Sequence, residues 1–218
     1  MLFRSGAPVT TTEDFVHVFE PATEPDAPTL LLLHGTGADE HDLLPLGRAL
    51  APGAALLSPR GKVSENGMNR WFRRLREGVF DVEDLIERTA ELAEFVKAAT
   101  LTYDLDPKRI VVSGFSNGAN TGAGLLLLHP GLVAGAALFA GGAPLQGREP
   151  DPVDLSGTRV FLGNGVADPI TTIDQARLVA AQLGERGAHV RAEEHPGGHQ
   201  LPRSVVARAR EWFSQAAF

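Results

Sequence analysis

The sequence predicts an α/β domain, a mostly parallel sheet covered by helices on both faces, and three observations carry that reading. Short apolar runs alternate with longer amphipathic ones from Phe15 onward, the pattern of strands alternating with helices. Three of the short runs, LLLL, IVVSGF and AALFAG, are nearly unrelieved by polar residues, as strands covered on both faces require. No repeat or low-complexity linker breaks the 218 residues, so a single domain over 1–218 is expected.

Taken in order, strands are expected at 15–19, 30–33, 54–58, 110–114, 135–140, 160–162 and 189–194. Helices are expected between them at 42–50, 82–96, 117–128, 173–186 and 203–216. The second is the clearest. Val82, Leu85, Ile86, Thr89, Leu92, Ala93 and Val96 fall on one stripe, while Asp84 and Arg88 pair at i,i+4 on the other side. Pro130 and Gly187 are natural stops for the third and fourth helices.

Composition removes several function classes. The chain contains no cysteine, so disulfides, thiolate metal sites and cysteine nucleophiles are excluded, and any nucleophile must be oxygen or nitrogen. The net charge of -7 offers no general attraction to nucleic acid or anionic lipid. The longest apolar stretch, 132–144, is broken by three glycines and falls well short of the roughly 20 residues of a bilayer span. The N-terminus, MLFRSGAPVTTTEDF, has no apolar core typical of a secretory signal, so a cytoplasmic protein that engages no membrane is expected. One basic cluster, Arg70, Arg73, Arg74 and Arg76, reads as a solvated or salt-bridged face, with the path of an anionic substrate as the alternative.

The chemistry concentrates at Gly114-Phe115-Ser116-Asn117-Gly118, which ends an apolar strand and opens a helix. A strand that turns into a helix within two residues crowds the backbone, so the positions two away on either side must lack side chains. Ser116 is thereby lifted to the carboxyl ends of the strands, where open α/β sheets place their ligands. A serine hydroxyl needs an imidazole to take its proton. His199, in the loop Pro196-Gly197-Gly198-His199 before the last helix, has the glycines that let its ring swing over Ser116; His195 reads as structural. Asp168, ahead of Pro169 in the loop after the 160–162 strand, is the expected acid, with Asp174 as runner-up. The backbone N–H groups of Asn117 and of Thr36, in Gly35-Thr36-Gly37, are the expected oxyanion-hole donors. A dinucleotide fingerprint starting at Gly35 fails at Glu40, and a His195–His199 metal pair fails because Pro196 and two glycines cannot form a helical turn. No metal and no cofactor is expected.

Together LLLHGTGADEHDLLPLGRAL, the WF within 69–74, GVFDVEDL, GFSNGAN, GNGVADPI and PGGHQL resemble the serine carboxylesterase and phospholipase branch of the α/β-hydrolase superfamily. That group includes acyl-protein thioesterase-like and hydroquinone-associated esterases. The resemblance runs from about Leu30 to Phe213 and implies a three-layer α/β-hydrolase fold. It implies an ester hydrolase in which Ser116, His199 and Asp168 form a catalytic triad and an acyl-enzyme forms on Ser116. It also implies that Trp71, Phe72 and Ile170 wall the substrate pocket, the alternative being that they are plain core residues. Only 141–157 is available for a cap, so an open site without a cap domain, working on small short- to medium-chain esters, is expected. A thioesterase or lysophospholipase preference stays open, as does a non-catalytic binding protein on the same fold. The family permits a homodimer.

Overall fold

The computed structural model describes residues 11–76, 78–149, 151–216 and 218. Residues 1–10, on which the reading of the N-terminus partly rests, lie outside them. Seven strands form the central sheet: β1 (His17–Glu20), β2 (Thr29–Leu33), β3 (Ala55–Pro59), β8 (Ile110–Phe115), β9 (Gly135–Phe139), β10 (Arg159–Gly165) and β11 (His189–His195). Their order is β1-β3-β2-β8-β9-β10-β11. β1 pairs antiparallel with β3 and the other five pairings are parallel, which gives the α/β-hydrolase fold. Each of the seven coincides with an expected strand.

The alternation of side chains along β2 sorts the core into two layers. Leu31 and Leu33 pack with Leu85, Leu92, Phe95 and Val96 of α2 (Val82–Thr102), Leu125 and Leu126 of α3 (Asn117–Leu128), and Val179 and Leu183 of α4 (Ile173–Gly184). Leu30 and Leu32 face the opposite way, toward Leu44 and Leu50 of α1 (Leu44–Leu50) and Val205, Ala209 and Trp212 of α5 (Arg203–Gln215). All four leucines are fully buried, as strands covered on both faces require.

Helix boundaries follow local chemistry. α1 starts at Leu44 rather than at residue 42 because Pro45 has no N–H and is tolerated only in a first turn. α2 begins where the Asp81 side chain accepts the Asp84 N–H at 3.1 Å, and it continues to Thr102, past the expected stripe.

Two hairpins outside the main sheet had no counterpart in the expected elements. The first pairs β4 (Val63–Glu65) with β5 (Met68–Arg70) across Asn66 and Gly67, both with positive φ (53° and 76°). The second pairs β6 (Arg74–Arg76) with β7 (Val79–Phe80). Gln146 ties the second hairpin to the loop after β9, accepting the Phe80 N–H at 2.7 Å and donating to the Gly78 carbonyl at 2.8 Å.

Candidate active site

β8 delivers Ser116 to the carboxyl edge of the sheet. Its backbone is left-handed (φ 53°, ψ -115°), and its N–H donates to the Phe139 carbonyl at 2.9 Å. A non-glycine residue held at positive φ carries strain, which the surroundings must impose. They do so by contact: a Cβ on Gly118 would lie 2.0 Å from the Leu33 carbonyl oxygen, and one on Gly114 would lie 2.6 Å from that of Gly118. The strand-to-helix turn is therefore packed directly against the end of β2.

Asp168 and His199 arrive on the loops that follow β10 and β11. Those loops pass so closely that a Cβ on Gly165 would meet the carbonyl oxygens of Gly197 and Gly198 at 2.3 Å each. The Ala167 N–H donates to the Gly197 carbonyl at 3.1 Å and locks the two together. His199 Nδ1 lies 2.8 Å from Asp168 Oδ2, and His199 Nε2 lies 2.8 Å from Ser116 Oγ. The other Asp168 oxygen accepts the N–H groups of Ile170 (2.8 Å) and Thr171 (3.0 Å). That carboxylate has no exposed side-chain surface, whereas Asp174, the runner-up, is exposed in the first turn of α4. His195 steadies the loop: its Nδ1 accepts the Gly197 N–H at 3.1 Å, and its Nε2 is buried without a partner among the described residues.

The backbone beside Ser116 supplies donors. Asn117 is the first residue of α3, so its N–H has no intrahelical acceptor. Thr36 lies in the loop after β2, and its N–H donates to no protein group among the described residues. That loop is held from below by His34, whose Nε2 accepts the Gly61 N–H at 3.0 Å; its Nδ1 then carries the proton and donates to the Gly35 carbonyl at 2.7 Å. Burial pushes the His34 pKa below its ordinary value, against the pull of Asp42, Asp39 and Glu40, so the neutral ring matches its bonding. Hairpin β4–β5 holds the loop from the side: the Gly37 N–H donates to the Asn69 carbonyl at 2.9 Å.

Ser116, Thr36, Asn117 and His199 face a cleft of about 950 Å³. Phe115, Met68, Phe80, Asn120, Gln146 and Ile170 also line it, and Ile170 is 66% exposed. Trp71 and Phe72 do not wall it as the resemblance implied; they are buried core residues. Trp71 is consumed by support, its indole donating to the His34 carbonyl at 2.9 Å and its backbone N–H to Asn117 Oδ1 at 2.8 Å. Phe72 packs edge-on against Phe80 at 5.0 Å between ring centres. Arg70 and Arg74 line the cleft instead. The basic cluster is thus divided, with Arg73 turned to Asp81 and Asp84 and Arg70 95% buried. The Asn66-Gly67 turn was the signal that would have found this wall, since that dipeptide marks a two-residue hairpin. No helix is inserted between β9 and β10 among the described residues, and no group of residues there suits a metal ion. Nor is any described helix long and apolar enough to cross a membrane.

Relatives share this architecture over most of its length. A family model described as Phospholipase/Carboxylesterase matches residues 15–216. MhqD of Bacillus subtilis (strain 168), a protein named as a hydrolase, is 43% identical over 200 residues, covering 92% of this chain and 98% of its own. Among solved structures, a carboxylesterase from Bacillus cereus aligns with a TM-score of 0.89 at 42% identity, covering 92% of this chain and 94% of that one. A carboxylesterase from Mesorhizobium loti aligns with a TM-score of 0.81 at 34% identity, covering 87% and 89%. The chain belongs to the phospholipase/carboxylesterase family of α/β-hydrolases and is a carboxylic ester hydrolase.

Proposed function

We propose that the protein is a serine carboxylesterase in which Ser116 is the nucleophile, His199 the general base and Asp168 the residue that orients His199. The observation that carries this reading is the unbroken chain from Ser116 Oγ through both ring nitrogens of His199 to Asp168, with 2.8 Å at each link. With its Nδ1–H kept on the ring and hydrogen-bonded to the carboxylate, the imidazole turns an unprotonated Nε2 toward the serine hydroxyl. Ser116 Oγ attacks the ester carbonyl while its proton moves to His199. The carbonyl oxygen becomes an oxyanion, which the Thr36 and Asn117 amides bind without reorganising. His199 then passes the proton to the departing alkoxide, the C–O bond breaks, and an acyl-enzyme remains. Water, deprotonated by the same imidazole, releases the acid and restores Ser116.

An open cleft of about 950 Å³, with no helix inserted between β9 and β10 among the described residues, offers a long acyl chain little cover, which favours small esters of short or medium chain. The test is a series of p-nitrophenyl esters from acetate to palmitate on the wild type and Ser116→Ala. Turnover is expected to peak at short or medium chains and to vanish in the variant, while the variant's thermal melt stays close to that of the wild type. A peak at palmitate would contradict the substrate range, and wild-type-like rates in Ser116→Ala would contradict the nucleophile.

A further inference from the structure

The cleft wall carries two arginines, Arg70 and Arg74, that share one carboxylate, Glu65, behind them. Glu65 Oε1 lies 2.7 Å from Arg74 Nε, and Glu65 Oε2 lies 3.2 Å from Arg70 Nε. Arg70 also donates to the Phe72 carbonyl (3.2 Å) and, through Nη1, to Thr36 Oγ1 (3.1 Å). This accounts for Nε and Nη1 of Arg70 and for Nε of Arg74. The Nη2 group of Arg70 and both Nη groups of Arg74 donate to no protein acceptor among the described residues.

A structural latch would need one arginine for one carboxylate. Here two guanidinium groups meet a single Glu65, so the wall keeps a positive charge in a chain whose net charge is -7. Arg70 is 95% buried, where solvent neutralises it poorly and an uncompensated charge is costly. Burial pushes its pKa down, Glu65 opposes that, and the neighbouring Arg74 adds a smaller push in the downward sense. The acidic residue of the cleft lining, Asp42, is exposed, so its field is more strongly screened. Arg70 is also hydrogen-bonded to the same Thr36 whose N–H faces the reacting carbonyl in the scheme above, which sets the positive wall beside the chemistry.

We infer that the Arg70–Arg74 pair recognises a carboxylate on the substrate, making the natural substrate an anionic ester, such as the monoester of a dicarboxylic acid or the ester of a hydroxy acid. The inference rests on the serine esterase reading above. A planar carboxylate matches the unused guanidinium donors in a way a neutral ester cannot. The first compound carries its charge on the acyl side of the scissile bond and the second on the alcohol side.

The experiment compares kcat/KM for two matched pairs of phenyl esters. On the acyl side, phenyl hydrogen glutarate is set against its amide, phenyl glutaramate. On the leaving side, 3-carboxyphenyl acetate is set against 3-carbamoylphenyl acetate. Each pair differs in charge and hardly in shape. The wild type is expected to favour the carboxylate by about tenfold or more in one pair, and that pair identifies the side that carries the anion. Arg74→Gln is expected to bring the ratio close to one, and Arg74→Lys to retain part of it. Good turnover of the neutral esters with ratios at or below one in both pairs would overturn the inference and leave the esterase reading standing. A high ratio unchanged in Arg74→Gln would overturn the assignment to these arginines. Failure of the folded wild type to hydrolyse all four compounds would overturn the esterase reading and this inference with it.

Discussion

Asp168 divides its two oxygens between two tasks, one holding the His199 imidazole and the other accepting the Ile170 and Thr171 amides that shape its own loop. Asp168→Asn separates them. An asparagine Oδ1 can still accept both amides, but its NH2 would face Nδ1 and favour the wrong tautomer. The expected result is a loss in kcat on the order of 10⁴ with an almost unchanged melting temperature. A loss of less than tenfold would mean that Asp168 does not orient the base. His34 supports a prediction of the opposite kind, in stability and not in rate. Its folded pKa is depressed by burial, so the unfolded chain binds its proton more readily. The stabilisation is complete above the unfolded value of about 6.5 and is lost as pH falls from there toward the lower folded value. His129, also depressed by burial, acts in the same sense. The urea midpoint should therefore drop between about pH 7 and pH 5, and a midpoint that stays flat across that window would contradict the neutral, buried His34.

At the scale of elements, the difference between what was legible and what was not is a difference in periodicity. LLLL, IVVSGF and AALFAG became β2, β8 and β9 because a run buried on both faces has few alternatives. The strand-to-helix turn at Ser116 was legible because Gly114 and Gly118 sit where a Cβ would strike backbone. β4 to β7 are two or three residues long and half exposed, so they show no apolar alternation, and the basic cluster they carry looked like one solvated face. Arg70 is buried because the hairpin folds it against Glu65, a pairing set by the turn between them and not by sequence spacing. The WF pair was misplaced for a related reason: its aromatic rings are spent on supporting His34 and Phe80, behind the wall. Two glycines test the turn argument. A Cβ added at Gly67 or at Gly184 would meet open space, but only Gly67 has positive φ, at 76°. Gly67→Ala should cost roughly 1–2 kcal/mol of stability through backbone strain alone. Gly184→Ala, at the end of α4, should be neutral or gain up to about 1 kcal/mol. Equal effects in urea titrations would contradict the assigned turn.

Across the whole molecule, the sheet serves to bring three distant stretches of sequence to one edge. Ser116 follows β8, Asp168 follows β10 and His199 follows β11, so parallel strands of one sheet convert separations of 31 and 83 residues into contacts of 2.8 Å. The two core layers pack against both faces of the sheet behind that edge, and the stretch between β9 and β10, which carries no helix among the described residues, leaves it open. In the proposed mechanism this convergence makes one serine out of the whole chain nucleophilic. The most direct measurement is the intact mass after exposure to a fluorophosphonate, followed by peptide mapping, with Ser116→Ala alongside. One adduct is expected, carried by the peptide that contains Ser116 and absent from the variant. No adduct on the folded wild type, or an adduct that persists in Ser116→Ala, would contradict it.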